Sequence, residues 1–258
     1  MSSALAAADL DAVLARLATI VGLAPTEVLR NRLRRAAPLA ARVPRSKDDI
    51  DHPDWAALLD AVTVQETRMF RAAAQIEAFR AAVLPELARG GAPLSLVSAG
   101  CATGEEAWTL AILAARDGVP FRALGLDLSR PALAVAQAAQ YHLGPPDALR
   151  EVPAEDRSLL EIGEGRFAPA PALRPHVGFR RRNLLDPGLE PGAADAILCR
   201  NVLIYLTEAA RRAVLRGLVA ALRPGGALLL GPTDTPPEGV TPWPGAGIGI
   251  YRRVGGDG

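Results

Sequence analysis

Arg200 and Asn201 sit between two apolar stretches of this chain, and their side chains could grip a polar ligand. The run Asp195-Ala-Ile-Leu-Cys-Arg-Asn-Val-Leu-Ile-Tyr-Leu206 carries an apolar strand into Arg200-Asn201, then into an apolar helical turn bearing Tyr205. In an open α/β sheet ligands bind beyond the carboxyl ends of the strands, so a guanidinium and an amide placed there face a ligand rather than solvent. A second junction of this kind, Leu96-Val-Ser-Ala-Gly-Cys-Ala-Thr-Gly-Glu-Glu106, lies earlier in the chain. Gly100-x-x-x-Gly104 lets the backbone approach a ligand with no Cβ in the way. It is neither the full G-x-G-x-x-G fingerprint nor a P-loop, which would carry a lysine.

Glu105 and Glu106 follow, where carboxylates favour a helix dipole; taken alone, this describes an ordinary tight turn equally well. Two carboxylates would serve a pyrophosphate poorly, but they would not repel a cationic, phosphate-free nucleoside, which favours S-adenosylmethionine. Asp127 ends the next apolar run, 23 residues beyond Gly104, a spacing at which an acid accepts ribose hydroxyls. Its other available duty, capping a helix that begins near Arg130, falls more naturally to Ser129.

The elements that would position these residues come in two styles. Residues 1–90 read as helical. Leu10, Val13, Leu14, Leu17 and Val21 form one apolar helix face, Thr26 to Leu39 a second helix studded with Arg30, Arg32, Arg34 and Arg35, and Trp55 to Thr63 a third. The polar, proline-flanked stretch 43–53 is a loop, and a fourth helix is expected over Gln75–Ala88, ending at Gly90-Gly91. After Pro93 strands and helices alternate: strands over Leu94–Ala99, Phe121–Leu126, Val177–Arg181, Ala194–Leu198 and Ala227–Leu230, helices over Glu105–Arg116, Arg130–Gln140 and Glu208–Ala221. Ser129 and Thr207 cap the last two helices, and Arg223-Pro-Gly-Gly226 is expected to stop the final one. Such alternation implies a mainly parallel, doubly wound sheet with helices on both faces. Proline-rich residues 142–176 interrupt it as an inserted subdomain.

Composition narrows the function classes. Half the residues are apolar and 22% are charged, a globular balance. With 29 basic and 28 acidic side chains the net charge is +1, so no global field draws the chain to nucleic acid or membrane. No apolar run reaches the roughly 18–20 residues that span a bilayer, and the first residues lack the basic flank and apolar core of a signal peptide. Two cysteines without a CxxC and three histidines argue against a disulfide framework or a metal site. The expectation is a cytoplasmic protein.

The motifs together resemble one family. Ser98-Ala-Gly-Cys-Ala-Thr-Gly-Glu-Glu-Ala-Trp-Thr-Leu-Ala111 is similar to the S-A-G-C-S-T-G-E-E-P-Y-S-L-A signature of the CheR-type chemotaxis receptor methyltransferases. Cys199-Arg-Asn-Val-Leu-Ile-Tyr205 matches that family's C-R-N-V-L-I-Y, Glu66-Thr-Arg-Met-Phe-Arg71 resembles its E-T-x-F-F-R, and Asn183-Leu-Leu185 its N-L-L, all in the family's order. The resemblance implies a small N-terminal helical domain, residues 1–75, and an S-adenosylmethionine-dependent methyltransferase domain, residues 76–258, with 142–176 inserted as a small β subdomain. It implies methylation of glutamate side chains on the cytoplasmic domain of chemoreceptor-like proteins, by a monomer that inserts in no membrane and binds no nucleic acid. Carried over position by position, Gln65, Thr67 and Arg71 reach the cofactor from the linker, Gly100, Glu106 and Asp127 hold its methionyl and ribose parts, Asn183 and Leu184 flank the adenine, and Arg200 and Asn201 close the floor. Arg71 and Tyr205 take the catalytic places, orienting the acceptor carboxylate and the methyl group, and S-adenosylhomocysteine is the product.

The chemistry agrees with this residue set. A glutamate acceptor is ionised at pH 7, so methyl transfer needs in-line placement rather than a general base, and a guanidinium suits the carboxylate. The sequence also departs from the family: Gly231-Pro-Thr-Asp234 replaces Gly-His-Ser-Glu, Ala107-Trp108 replaces Pro-Tyr, and Met69 the first Phe. A non-catalytic S-adenosylmethionine-binding signalling module and a small-molecule methyltransferase are the alternatives. Retention of Arg71 and Tyr205 argues against the first, and the Glu66–Arg71 linker against the second. An arginine-rich second helix offers either a solvated face or a basic face for acidic receptor helices.

Overall fold

The computed structural model describes residues 7–44, 49–145 and 147–255. Four helices come first: α1 (Ala7–Val21), α2 (Glu27–Arg35), α3 (Ala37–Ala40) and α4 (Pro53–Val62). The apolar face read from α1 is the one that is buried, and Leu14, Leu17, Leu33, Trp55, Leu58 and Leu59 close a core of their own. Thr26 caps α2 by accepting from Leu29 N, while α4 opens on Pro53 behind His52, which accepts from Asp54 N. A proline at the first helical position has no N–H to leave unpaired, so α4 starts where it must. The guanidinium of Arg16 lies 4.6 Å over the Trp55 ring.

A non-helical linker, residues 63–72, leads into a long helix assembled from α5 (Ala73–Ala78), a π-helical segment (Phe79–Val83) and α6 (Leu84–Leu87). The expected helix over Gln75–Ala88 is therefore present, but it starts at Ala73 and carries a widened turn. There follows the sheet. Its strands are β1 (Leu94–Ala99), β2 (Phe121–Asp127), β6 (Val177–Arg181), β7 (Ala194–Cys199), β8 (Leu222–Leu230), β9 (Val240–Pro242) and β10 (Ile250–Arg253), in the order β6-β2-β1-β7-β8-β10-β9. The first five are parallel, and β10 runs antiparallel to both β8 and β9. The chain winds from β1 outward through β2 to β6, then crosses to β7 on the other side of β1. This reversal opens a crevice at the carboxyl ends of β1 and β7.

Helices α7 (Glu105–Arg116), α8 (Arg130–Ala138) and α9 (Glu208–Ala221) cover the faces. On one side Leu96, Leu198 and Leu229 of the sheet pack with Phe79, Leu110 and Leu113; on the other Val97, Ile197 and Leu228 pack with Val214 and Leu218 of α9. Both faces of the sheet are thus dry, which is why its strands read as continuous apolar runs rather than alternating ones. The excursion after α8 holds a three-stranded antiparallel sheet, β3 (Tyr141–His142), β5 (Arg166–Pro169) and β4 (Leu160–Gly163) in that order. Buried Asp156 fastens it to α7 by accepting from Arg116 at 3.1 Å.

Two local expectations are corrected. Arg223-Pro-Gly-Gly226 does not terminate α9 as a cap: the helix ends at Ala221, and these residues lie inside β8. They form an irregularity in its pairing with β7, where the register shifts between Ala194 and Ala196, so the glycines accommodate a bulge. Helix α8 stops at Ala138 rather than Gln140, because Ala139 turns left-handed at φ 51°. The β9–β10 hairpin was not foreseen.

The helical N-terminal part is tied to the sheet by named contacts. Arg181 at the end of β6 donates to Leu128 O (3.0 Å) and to Ile50 O (2.8 Å), and pairs with Asp51. Asn183 donates to Ile20 O at 2.7 Å, and Thr207 N to Gly22 O at 2.8 Å. Arg181→Ala should loosen this docking without unfolding the sheet. Hydrogen exchange should quicken in residues 49–62 while amides of β1 and β7 keep their protection; unchanged exchange in 49–62 would contradict the docking role.

Candidate functional site

Beyond the carboxyl ends of β1, β2 and β7 lies a cleft enclosing about 1160 Å³ of non-protein space, including the open water at its mouth. Its roof comes from the N-terminal helices, through Val21, Leu29, Arg32 and Val62, and from the linker. Thr67, Arg71, Gly100, Glu106, Asp127, Asn183, Leu184, Arg200, Asn201 and Tyr205 all line it. Residues 138 positions apart in sequence thus meet around one space. Gln65 alone of the expected cofactor residues does not: its amide donates instead to Ser129 Oγ. It touches the site only indirectly, since Ser129 N donates to Asp127.

Each functional side chain is held by the sheet's own backbone geometry. Asp127 ends β2 and accepts from Ala102 N at 2.8 Å and Ser129 N at 2.9 Å, one bond per oxygen. Each oxygen keeps a lone pair for another donor. Burial pushes the Asp127 carboxyl up from its ordinary value, against the pull of those backbone donors. At the end of β1, Gly100 adopts φ +83°, and a Cβ there would meet Val202 Cγ2 at 2.3 Å. Only glycine lets β1 and the turn after β7 close the floor this tightly.

Arg200 is less a ligand-facing group than an internal strut. Its side chain is 3% exposed, and its Nε donates to Glu106 Oε2 at 2.7 Å. Its Nη1 donates to Arg71 O at 2.7 Å and to Gln75 Oε1 at 3.1 Å. Ser98, fully buried in β1, completes the set by donating to Glu106 Oε1 at 2.8 Å. Arg71 projects from the linker, donates to Glu66 O at 2.8 Å, and has the exposed Glu66 carboxylate 3.9 Å away. Tyr205 is half-buried in the cleft lining, its carbonyl accepting from Ala24 N at 2.8 Å.

The backbone around this cleft is unusually strained. Phe70, Ala72, Ala102 and Asn201 all have positive φ, between 46° and 60°. For non-glycine residues such conformations cost on the order of 1–3 kcal/mol each and cluster where a site demands them. Phe70 N is received by Thr109 Oγ at 3.0 Å, which helps to hold the linker in place.

Sequence reasoning overlooked Gln75, Ser98 and Thr109. A Gln in an alanine-rich helix and hydroxyls inside apolar runs carry no local signal; only the fold places them on the linker and on Glu106. The arginine face of α2 is smaller than expected. Arg30 pairs with Asp11, and Arg32 turns inward, donating to Thr63 O and lining the cleft. Of the departures from the family pattern, Met69 and Trp108 are buried core, with Trp108 tilted against Phe179 at 5.8 Å. Asp234 folds back to accept from Gly231 N at 3.0 Å and does not line the cleft. Cys101 and Cys199 are free, buried thiols, and burial pushes both well up from the usual thiol range.

Comparison with known proteins adds to this geometry. Residues 65–242 match the family model described as the CheR methyltransferase SAM-binding domain. The chain is 36% identical over 196 residues to chemotaxis protein methyltransferase 1 of Pseudomonas aeruginosa, covering 69% of this chain and 68% of that protein. It is 32% identical over 189 residues to a chemotaxis protein methyltransferase of Listeria monocytogenes, covering 69% and 70%. Among solved structures it is similar to a SAM-dependent methyltransferase from Methanosarcina mazei, with 16% identity and a TM-score of 0.36, over 54% of this chain and 51% of that one.

Glu105 faces away from the cleft, into a second hollow shared with Tyr141 and Phe167. Burial raises its carboxyl above the usual range, opposed by the hydroxyl of Thr103, which donates to it at 2.7 Å. The folded state therefore holds this proton more tightly than the unfolded chain. The associated stability is present below the unfolded carboxylate pKa and is lost as pH rises through the raised value. Glu105→Gln should consequently gain stability relative to the native protein across the interval that opens at the ordinary carboxylate value of about 4 and runs up to the raised one. Urea midpoints that differ by a constant amount across that interval would disprove it.

Proposed function

Because the chain belongs to the CheR methyltransferase family, we propose that its cleft presents S-adenosylmethionine to a glutamate side chain on the cytoplasmic domain of a chemoreceptor. The chain is an S-adenosylmethionine-dependent methyltransferase whose substrates are, in general terms, chemoreceptors. The observation that carries the site assignment is the convergence of ten motif residues on one cleft, with the carboxylates of Asp127 and Glu106 among them. Those two carboxylates suit the ribose hydroxyls and the ammonium group of a sulfonium nucleoside, while Arg71, one of four arginines that also line the cleft, suits an acceptor carboxylate.

Bound S-adenosylmethionine supplies an electrophilic methyl group on a positively charged sulfur. Asp127 would receive the ribose hydroxyls on its two remaining lone pairs, and Glu106 the amino group. Asn183 gives one amide hydrogen to Ile20 O and one carbonyl lone pair to Leu185 N, which leaves one donor and one lone pair for the adenine edge beside the apolar face of Leu184. Arg71 reaches the cleft from the linker with donors left for an acceptor carboxylate. The Tyr205 phenol offers one further hydrogen bond. The acceptor oxygen forms a bond to the methyl carbon as the carbon–sulfur bond breaks, and its negative charge and the sulfonium charge cancel. No proton moves, which accounts for a catalytic set of one arginine and one tyrosine without a base.

This reading treats residues 1–75 as a helical domain that roofs the cofactor and residues 76–258 as the domain that binds it, acting as a monomer in the cytoplasm. Among the described residues no helix is long and apolar enough to cross a membrane.

Methyl groups should pass from tritiated S-adenosylmethionine to receptor-bearing membranes and be released by base, as esters are. Arg71→Ala should reduce turnover on the order of a hundredfold, and Tyr205→Phe by less, since it removes one neutral hydrogen bond. Full activity in both variants would refute the assigned active site, and binding without transfer in the native protein would favour a non-catalytic module. Calorimetry on Asp127→Ala should show cofactor binding weakened by about 1.5–3 kcal/mol, an outcome that equal affinity would contradict.

A further inference from the structure

Gln75 lies in the first turns of α5, outside the lining of the cleft, yet it touches three separate parts of the molecule. Its Oε1 accepts from Arg200 Nη1 at 3.1 Å. Its Nε2 donates to Leu230 O, at the end of β8, at 2.9 Å and to Ile248 O at 3.3 Å. Every strong hydrogen-bonding group of this amide is therefore engaged, two of the contacts being 155 and 173 residues away in sequence. A side chain so thoroughly committed is not there for solubility.

We propose that Gln75 is a positioning residue for methyl transfer: it steers Arg200 onto the Arg71 carbonyl and anchors that arm to the loop before β10. The proposal rests on the acceptor role given to Arg71 above. Arg200 Nη1 is shared between Arg71 O and Gln75 Oε1, while Nε goes to Glu106. Phe70 and Ala72, on either side of Arg71, hold left-handed conformations at φ 54° and 60°. Such strain persists only where neighbours over-determine it. The Arg200–Arg71 bond and the Thr109 hydroxyl on Phe70 N are the ties that do so. Without Gln75, Nη1 loses the second acceptor that fixes its direction, and the strained linker is freer to relax with Arg71 on it.

The cofactor side of the cleft is fastened independently. Glu106 keeps Ser98 and Arg200 Nε, and Asp127 keeps its two backbone donors. Loss of Gln75 should therefore separate catalysis from cofactor binding. The loop side makes the same point from a distance. Gly249 has φ +79°, and a Cβ there would lie 2.5 Å from Gln75 Nε2 and 2.8 Å from Leu230 O. The loop is built so that Gln75 can pass between it and β8, with Trp243 buried at the loop's base under the guanidinium of Arg252.

The test uses the full chain, tritiated S-adenosylmethionine and receptor-bearing membranes, with cofactor affinity measured separately by calorimetry. Gln75→Met keeps the volume and removes the polar groups; kcat should fall about tenfold while the cofactor Kd changes by less than about threefold. Gln75→Glu restores the acceptor for Arg200 but turns its other oxygen on Leu230 O and Ile248 O, so it should recover part of kcat. Native kcat in Gln75→Met, a cofactor Kd weakened as much as kcat falls, or Gln75→Glu as slow as Gln75→Met would each overturn the proposal. If Gln75→Met does not fold, Gly249→Ala, which crowds Gln75 from the loop, should show the same loss confined to kcat, and native kcat there would overturn it. Absence of transfer by the native protein would instead count against the function proposed above, so the two failures are distinguishable.

Discussion

The ion pair between Arg200 and Glu106 is the constraint on which the cleft depends. It joins the end of β7 to the first turn of α7 in surroundings that leave the arginine side chain almost wholly out of water. Buried pairs of this kind give little net stability, because desolvation offsets most of the attraction, but removing one partner strands the other at a cost of about 3–5 kcal/mol. What such a pair does supply here is a unique arrangement. Both Nη1 donors of Arg200 are satisfied only if Arg71 O and Gln75 Oε1 stand where they do. Ser98 takes the other oxygen of Glu106 from inside β1. One guanidinium thus sets the spacing between two strands, a helix start and a linker.

Around that strut the backbone is bent into conformations it would not choose. Phe70, Ala72, Ala102 and Asn201 are left-handed, and a π-helical segment follows within a few residues of the linker. Widened turns of that type are common beside functional sites. The strain is concentrated on the cleft rim, while both faces of the sheet are packed dry by Leu, Val and Ile. A rigid core can hold a strained rim, and the two together fix the linker that carries Arg71 and the turn that carries Tyr205.

Much of this was legible in the residues. Apolar runs ending in Gly100, Asp127 and Asn201 announced three parallel strands meeting at one cleft, because strands dry on both faces have no polar alternation to confuse the reading. Cap residues Ser129 and Thr207 marked helix starts through an equally local signal. The misreadings have a common origin in long-range contacts. Arg223-Pro-Gly-Gly226 looks like a helix stop, and only pairing with β7 reveals a bulge. The hairpin of β9 and β10 is short and polar, with Pro242 and Arg252 in it, and exists because β8 offers an edge. Gln65 carries the right chemistry for a ligand, yet Ser129 is within its reach and takes its amide. Arg200 lines the cleft, but its guanidinium is already committed to Glu106, Arg71 O and Gln75, contacts that no local sequence signal announces.

The position of Gln75 between an early linker and the last strands has a consequence for how the protein is made. The N-terminal helices own a core and can assemble while synthesis continues. Parallel sheets, by contrast, wait for distant partners and form slowly. Leu230 and Ile248, the partners of Gln75, leave the ribosome long after the linker that they help to fix. A nascent chain that has already formed β1, α7 and β2 consequently carries Gly100, Glu106 and Asp127 without a secured Arg71. Competence to act arrives late, with the final hairpin, so unfinished chains are kept silent by topology alone.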